Sequence, residues 1–314
     1  MAPEKKAKKK LIVIGGPTGI GKSFVAYNVA LKIRGEIISA DSMQFYREIN
    51  IGTDKVPMEI REKIPHYLID FLSLRDEFDV YQFVKQTTEK IDAIHKKGGI
   101  PIVVGGSGLY LRSLFTGIFY IPEDTKDTLK EIRDNLEKEK TDALYKKLKI
   151  TDPDTAKNLH PNDKKRIRRA LEVYLLTGKP MSLWQKEKIS PISEEIETVY
   201  YILTRDRKEM YNRIERRVDK MFENGWVEEV MGLKEKGLTE YLQLKAPIGY
   251  KEILGYLNGE YDMDEVKDTI KQKTRNLAKR QLTWFRKESG KWIELEGEGE
   301  NAVDVITETF KGGL

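Results

Sequence analysis

The eight residues GPTGIGKS, from Gly16 to Ser23, constrain the fold of this chain more than any other part of its sequence. They match the phosphate-binding loop (P-loop) pattern G-x-x-x-x-G-K-[S/T], between an apolar run at 11–15 and a helical pattern that begins at Lys22. Such a loop directs backbone N–H groups at phosphate oxygens, and the helix N-terminus and the lysine add positive charge. The motif predicts a polyphosphate site. Its candidate residues are Gly16, Pro17, Thr18, Gly19, Ile20, Gly21, Lys22 and Ser23, and the Ser23 hydroxyl is also a candidate Mg²⁺ ligand.

Apolar and amphipathic segments alternate along the chain after this loop. The runs at 36–41 (EIISAD), 100–106 (IPIVVGG) and 199–204 (VYYILT) favour buried strands, and the segment at 79–98 favours an amphipathic helix. Strands that alternate with helices predict a parallel sheet covered by helices on both faces. The expected fold class is therefore α/β, with a P-loop NTPase-like core.

The strand signal is interrupted from about 122 to 191. This stretch consists of charged, helix-favouring segments that are broken at proline dipeptides such as Asp152-Pro153. We therefore expect a core domain with C-terminal helices, formed by 11–121 and 199–314, and an all-helical insertion domain, formed by 122–198.

The composition excludes several kinds of site. The 314 residues include no cysteine, which rules out disulfides, thiolate metal sites and a cysteine nucleophile. The three histidines are too scattered to suggest a zinc site, and no apolar run approaches the ~20 residues of a membrane span. We expect a cytoplasmic protein with no membrane association and, by default, a monomer.

Two polar groups are expected beside the P-loop, because the carboxyl ends of parallel strands meet at one edge of a sheet. Asp41 ends the run at 36–41, and its carboxylate is a candidate metal ligand or base; a turn-forming role is the alternative. The loop at 105–108, GGSG, follows the next strand and offers N–H groups and the Ser107 hydroxyl to phosphate. A plain strand-to-helix turn explains that loop equally well.

Positive charge is concentrated in two segments. Five of the six residues at 164–169 are basic, and the segment 271–287 has seven basic residues and no acidic one, with Trp284 and Phe285 among them. Such segments neutralise nucleic-acid phosphates, and aromatic rings stack on exposed bases. A solvated helix face is the alternative for each segment taken singly.

Arg213 and Arg217 are four residues apart, so they share one face of a predicted helix. Together they could bind a diphosphate. Pairing with Glu209 or Glu215 on the same helix is the alternative, and the spacing alone does not decide between the two.

The chain as a whole resembles the tRNA dimethylallyltransferases, also called tRNA isopentenyltransferases. The resemblance rests on the order of GPTGIGKS, ISADSMQFYREINIGTDK, PHYLID, IVVGGSGLYLRSL, HPNDKKRIRRALEV, RIERRVDKM, APIGYKE and LAKRQLTWFRK, from Leu11 to about Arg286. It implies transfer of a dimethylallyl group from dimethylallyl pyrophosphate to the exocyclic amine of the adenine immediately 3′ to the anticodon. Mg²⁺ is implied as the cofactor, and the tRNA anticodon stem-loop as the partner.

The resemblance also implies roles for individual residues. The P-loop would hold the pyrophosphate of the prenyl donor instead of ATP, and Asp41 would accept the amine proton. Lys22, Ser107 and either Arg213 or Arg217 would stabilise the leaving group. The implied tRNA contacts are Asp41, Ser42, Met43, Gln44, Lys130, Lys165, Arg166, Ile167, Arg168, Arg169, Arg275, Lys279, Arg280 and Gln281.

Two other functions fit part of the sequence. A P-loop kinase would use GPTGIGKS for ATP and transfer phosphate to a nucleoside or small metabolite, but it leaves the basic segments and the helical insertion without a purpose. A non-catalytic RNA-binding P-loop module would not require a carboxylate at Asp41 beside the phosphate loop.

Overall fold

The computed structural model describes residues 9–118, 126–187 and 190–311, and the chain divides into two compact units. One unit is formed by the residues up to 114 together with those from 192 onward, and the other by 115–191. The expected domain boundary at 121–122 falls outside the described residues.

The first unit contains a six-stranded parallel sheet, which confirms the predicted α/β class. The strand order is β3-β2-β4-β1-β5-β6, so β1 lies near the centre between β4 and β5. The bounds are β1 (Lys9–Gly15), β2 (Gly35–Ser39), β3 (His66–Tyr67), β4 (Ile100–Gly105), β5 (Ile196–Thr204) and β6 (Lys291–Glu294).

The apolar runs of the sequence become strands because both of their faces are covered. Residues 11–14 in β1 are at most 2% exposed, and α1 and α3 pack on the neighbouring strands β2 and β4. Strand β3 was not predicted, because two residues are too short to carry a periodic signal.

Helices flank this sheet and continue beyond it. Helix α3 begins at a capping box, in which the Asp79 side chain accepts from the Gln82 backbone at 2.8 Å and the Gln82 side chain accepts from the Asp79 backbone at 3.0 Å. The helices are α1 (Lys22–Ile33), α2 (Met58–Lys63), α3 (Val80–Lys96), α4 (Gly108–Thr116), α5 (Lys126–Lys138), α6 (Thr141–Thr151), α7 (Pro153–Lys157), α8 (Lys164–Thr177), α9 (Met181–Lys186), α10 (Arg207–Glu223), α11 (Trp226–Glu235), α12 (Thr239–Lys245), α13 (Tyr250–Leu257), α14 (Met263–Phe285) and α15 (Glu300–Lys311).

Two apolar clusters stabilise the first unit. One joins the sheet to α1, α10 and α15 and includes Val29, Ile214 and Val303. The other lies among the helices from α10 to α14 and surrounds Trp226, which is 1% exposed. The long helix α14 contributes to both clusters, through Ala278 to the first and Ile270 to the second.

The second unit has its own core between helices α5 to α8. Leu144, Leu148 and Ile167 are fully buried there. Asp152 is also fully buried, at the start of α7, where it accepts hydrogen bonds from Thr155 and Ser182. Burial raises the pKa of Asp152, but these hydrogen bonds outweigh that effect and hold the pKa below its ordinary value.

Candidate active site

Loops that follow four parallel strands meet at the carboxyl edge of the sheet. They are the P-loop after β1, Asp41 after β2, Gly106-Ser107 after β4 and Arg205 after β5. Strands β2 and β4 approach closely at this edge, because a Cβ on Gly105 would lie 2.3 Å from the Ala40 carbonyl oxygen. Because Gly105 has no side chain, Asp41 can lie beside the loop at 105–108, the second glycine loop of the chain.

The P-loop lies between β1 and α1, where the sequence predicted it. Gly19 and Gly21 have φ angles of +81° and +106°, in the left-handed region that favours glycine. The Lys22 ammonium donates a hydrogen bond to the Pro17 carbonyl at 2.7 Å, so the lysine folds back over its own loop. Burial lowers the pKa of Lys22 to about 8, although the nearby Asp41 carboxylate opposes this shift.

Asp41 lies at the cavity and also forms a turn. Its Oδ1 accepts a hydrogen bond from the Met43 backbone at 3.0 Å, which makes it a turn former, and its side chain also lines the cavity with Lys22. Burial raises the pKa of Asp41, and the Met43 N–H, Lys22 and Arg217 only partly offset that rise. A carboxylate with a raised pKa beside a phosphate loop is suited to accept a proton.

Arg213 and Arg217 both face the cavity, and neither forms the alternative pair with a glutamate of its own helix. Glu209 pairs with Arg205, and Glu215 pairs with Arg275 at 2.5 Å. Arg213 instead binds Glu298. Arg217 donates to Asp54 at 3.2 Å and to the Thr18 hydroxyl at 2.9 Å, which attaches α10 to the P-loop.

Arg205 was not selected as a site residue from the sequence, yet it supports the P-loop from inside the fold. Its side chain is fully buried, its Nε donates to the Ile20 carbonyl at 3.2 Å, and its Nη1 donates to the Gly297 carbonyl at 2.7 Å. Its Nη2 has no hydrogen-bond partner among the described residues and lies near Gly21. The available signal was its position directly after a strand whose carboxyl end reaches this edge.

Lys22, Asp41, Arg213 and Arg217 line one cavity of about 770 Å³ in the first unit. Apolar side chains also line it, including Val56, Ile69 and Ile248, so its lining is both charged and apolar. The sequence missed Asp54, His66 and Glu298 as lining residues. The predicted site residues that line it are Thr18, Gly19, Gly21, Lys22, Ser23, Asp41, Ser42, Met43, Gln44, Ser107, Arg213, Arg217, Arg280 and Gln281.

The cavity has few groups of its own for a metal ion. Among the described residues there is no cluster of three His, Cys, Asp or Glu side chains that would hold one. Ser23 supplies a hydroxyl and Asp41 a carboxylate, whereas the Asp54 and Glu298 carboxylates of the lining are paired with Arg217 and Arg213. This donor set fits Mg²⁺, which commonly takes one or two protein ligands and completes its shell with water and substrate phosphate oxygens.

The basic residues predicted to contact tRNA are placed in both units. On α14 of the first unit, Lys279 and Arg280 are exposed, whereas Arg275 is paired with Glu215. In the second unit, Lys130, Lys165 and Arg166 are exposed, and Arg166 also pairs with Asp163 at 2.6 Å. The remaining basic residues of the 164–169 segment are partly buried: Arg168 pairs with Glu137, and Arg169 with Glu172.

Two of the predicted tRNA contacts, Ile167 and Gln44, have buried side chains. Ile167 is fully buried in the core of the second unit, so its side chain cannot belong to a contact surface, and that assignment is corrected. It lies on the inner face of α8, which a basic run cannot reveal. Gln44 is 9% exposed, and its side chain hydrogen-bonds to Ser39 and to the Thr53 and Asp54 carbonyls.

A model of the family described as IPP transferase matches residues 44–288. The chain belongs to the IPP transferase family. A tRNA dimethylallyltransferase of Carboxydothermus hydrogenoformans is 44% identical over 303 residues, which are 96% of each protein. This relative thus matches almost end to end.

Solved structures of relatives have the same fold. The tRNA delta(2)-isopentenylpyrophosphate transferase of Staphylococcus epidermidis is 38% identical with a TM-score of 0.69, over 97% of this chain and 99% of that one. A eukaryotic dimethylallyltransferase acting on tRNA is 31% identical with a TM-score of 0.82, over 97% of this chain and 80% of that one. No helix in the described part of this chain is long and apolar enough to cross a membrane.

Proposed function

We propose that this chain transfers a dimethylallyl group from dimethylallyl pyrophosphate to the exocyclic amine of an adenine in tRNA, next to the anticodon on its 3′ side. The observation that carries the proposal is the presence of Lys22, Arg217 and Asp41 in one cavity. The two cations suit a diphosphate leaving group, and the carboxylate suits an amine that loses a proton. Membership of the IPP transferase family and the names of the relatives support transfer of a prenyl group over the kinase alternative.

The chemistry depends mainly on the leaving group. The adenine amine is a weak nucleophile because its lone pair is delocalised into the ring, so breaking the carbon–oxygen bond of the prenyl donor needs assistance. Negative charge that develops on the pyrophosphate would be stabilised by the P-loop N–H groups, Lys22, Arg213, Arg217 and the Ser107 hydroxyl. The Ser23 hydroxyl would hold Mg²⁺, which supplies further positive charge to the diphosphate when it is bound.

Asp41 would accept the proton that the adenine amine loses. The amine nitrogen gains a bond to carbon and must lose a proton, and the Asp41 carboxylate, with its raised pKa, accepts it. Ser42 and Met43 line the same cavity and would contact the adenine. Reaching this cavity requires the base to leave the anticodon-loop stack, which costs a few kcal/mol.

Basic residues of both units would offset the cost of unstacking the base. Lys279 and Arg280 are exposed on α14, and Lys130, Lys165 and Arg166 are exposed in the second unit. Each phosphate contact releases counterions, so tRNA binding should weaken steeply as salt is raised.

We also propose that the protein works as a monomer in the cytoplasm. Light scattering of the pure protein and of its tRNA complex tests whether it is a monomer.

One experiment tests the activity directly. Unmodified tRNA transcripts are incubated with the protein, Mg²⁺ and dimethylallyl pyrophosphate, digested to nucleosides and analysed by mass spectrometry. The expected result is adenosine heavier by one dimethylallyl group in place of one hydrogen, at the position 3′ to the anticodon. A parallel incubation with labelled ATP tests the kinase: label on a small acceptor, with no alkylated adenosine, would refute the proposal.

A further inference from the structure

We infer that Gln281 is a positioning residue that holds the P-loop and the second glycine loop at a fixed separation and so sets how tightly the prenyl donor's diphosphate is bound. The sequence placed Gln281 among the tRNA contacts. The inference rests on the proposed function and assigns Gln281 to the donor side of the reaction instead.

Both polar ends of the Gln281 side chain are used between the two loops. Its Oε1 accepts a hydrogen bond from the Thr18 backbone N–H at 2.8 Å, and its Nε2 donates to the Gly106 carbonyl at 3.0 Å. The amide therefore spans from the P-loop to the loop that carries Ser107. These bonds use one of the two lone pairs of the carbonyl and one of the two N–H groups of the amide, so the bridge fixes the orientation of the side chain between the loops.

The end of helix α14 is built into the loops it bridges. A Cβ on Gly106 would lie 2.6 Å from the Gln281 Nε2, and one on Gly108 would lie 2.2 Å from the Trp284 ring. The glycines of the second loop thus make room for this helix. Arg112, on α4, lies 4.2 Å from the centre of the Trp284 ring and pairs with Glu288 just beyond α14, which holds the helix end in place.

Thr18 is consequently fixed at two points. Gln281 binds its backbone N–H, and Arg217 binds its hydroxyl. The N–H groups of a P-loop stabilise phosphate only when the loop already has the correct shape, since reshaping it on binding costs affinity. Removing the Gln281 bridge should loosen Thr18 and Ser107 relative to each other without removing any charge from the cavity.

The test compares Gln281→Met with the wild-type full-length protein. Methionine has a similar length and keeps the helix, but it can neither accept from Thr18 nor donate to Gly106. Three quantities are measured: the Kd of inorganic pyrophosphate with Mg²⁺ by calorimetry, the Kd of tRNA by filter binding, and the steady-state KM and kcat of prenyl transfer. Asn276→Met, at an exposed position of the same helix, is the matched control.

The expected result for Gln281→Met is a roughly tenfold weaker Kd for pyrophosphate and a similar rise in the KM for dimethylallyl pyrophosphate, with the Kd for tRNA changed by less than about twofold. Gln281→Glu keeps an acceptor for Thr18 but turns an oxygen toward the Gly106 carbonyl. It should weaken pyrophosphate binding at least as much, and it provides a second variant if the first fails to fold. Asn276→Met should match the wild type.

The inference is overturned if tRNA binding weakens while the Kd for pyrophosphate stays unchanged, because Gln281 would then be a tRNA contact. It is also overturned if the variants only melt at a lower temperature and bind pyrophosphate normally when folded. Failure of the proposed function has a different signature: the wild-type protein would bind pyrophosphate but leave tRNA unmodified.

Discussion

The Arg213 guanidinium donates two parallel hydrogen bonds to the Glu298 carboxylate, each 2.9 Å long. Both residues line the cavity, and the Arg213 interaction holds the pKa of Glu298 below its usual value. A bidentate arginine–carboxylate pair uses the same donors that an arginine would offer to a diphosphate. Glu298 would therefore compete with a bound diphosphate for Arg213.

Removing this competitor should tighten diphosphate binding. We expect Glu298→Gln to lower the Kd of pyrophosphate roughly two- to fivefold, since an ion pair with an exposed carboxylate is worth under about 1 kcal/mol. Calorimetry on the two proteins measures it. Glu296→Gln removes the same charge two residues away, at an exposed position that does not line the cavity. An equal gain in that variant would show that net charge, and not the Arg213 pair, is responsible.

Asp41→Asn should separate catalysis from stability. The amide cannot accept the amine proton, so we expect kcat to fall by about 10²- to 10⁴-fold while the Kd for tRNA changes little. Burial raises the pKa of Asp41 in the folded chain above its value in the unfolded chain, because the buried site disfavours the charged form. As pH rises through the raised pKa, Asp41 becomes charged in the folded chain, and the free energy of unfolding falls. Near pH 7 the variant should therefore melt at a higher temperature than the wild type. Single-turnover kinetics measures the loss of catalysis, and scanning calorimetry measures the melting temperature. If the variant turned over as fast as the wild type, Asp41 would not have the role assigned to it.

The affinity for pyrophosphate should depend on the charge of Lys22. Because its pKa is lowered to about 8, the lysine is positively charged below this pH and loses its charge above it. Binding should weaken by up to about tenfold per pH unit above pH 8.

Pyrophosphate gains charge over the same range, so a control must share that effect. Lys22→Arg stays charged throughout, since a guanidinium does not deprotonate at these pH values. The Kd of pyrophosphate is measured for both proteins by calorimetry from pH 7 to 9. The wild-type Kd divided by the Lys22→Arg Kd should rise with pH. Parallel pH profiles for the two proteins would contradict the prediction.

Two glycine substitutions should have opposite effects on stability. A Cβ on Gly105 would lie 2.3 Å from the Ala40 carbonyl oxygen, and backbone cannot yield as a flexible side chain can. We expect Gly105→Ala to cost about 1–3 kcal/mol of unfolding free energy and to displace Asp41. Gly232 lies inside α11, where an added Cβ would meet no atom of another segment within 4 Å, so Gly232→Ala should stabilise the protein by about 0.5–1 kcal/mol. Denaturant titrations of both variants decide the signs.

Part of the site was predictable because its signals are local. The P-loop is contiguous in sequence, and its glycines, lysine and serine are needed at fixed spacings. Asp41 and Ser107 could be placed beside it, since each follows a strand and parallel strands end at one edge. The two-residue strand β3 was missed, because it is formed by pairing with β2 and not by any pattern of its own.

The partners of the charged side chains were not predictable. Arg213 and Arg217 lie on the expected helix face, but their carboxylate partners, Glu298 and Asp54, are 85 and 163 residues away in sequence. Likewise, the basic segment at 271–287 gives no sign that Gln281 faces inward while Arg280 is exposed. One step along a helix turns a side chain by about 100°, so only packing decides which residue contacts the loops.

The sequence by itself therefore determined the parallel sheet, the position of the P-loop and the family, because each depends on short patterns or on motif order. The tertiary structure decided which cations are already neutralised, which polar groups bridge the loops and which predicted contacts are buried. These depend on free energies of contact between distant segments, which become defined only when folding brings those segments together.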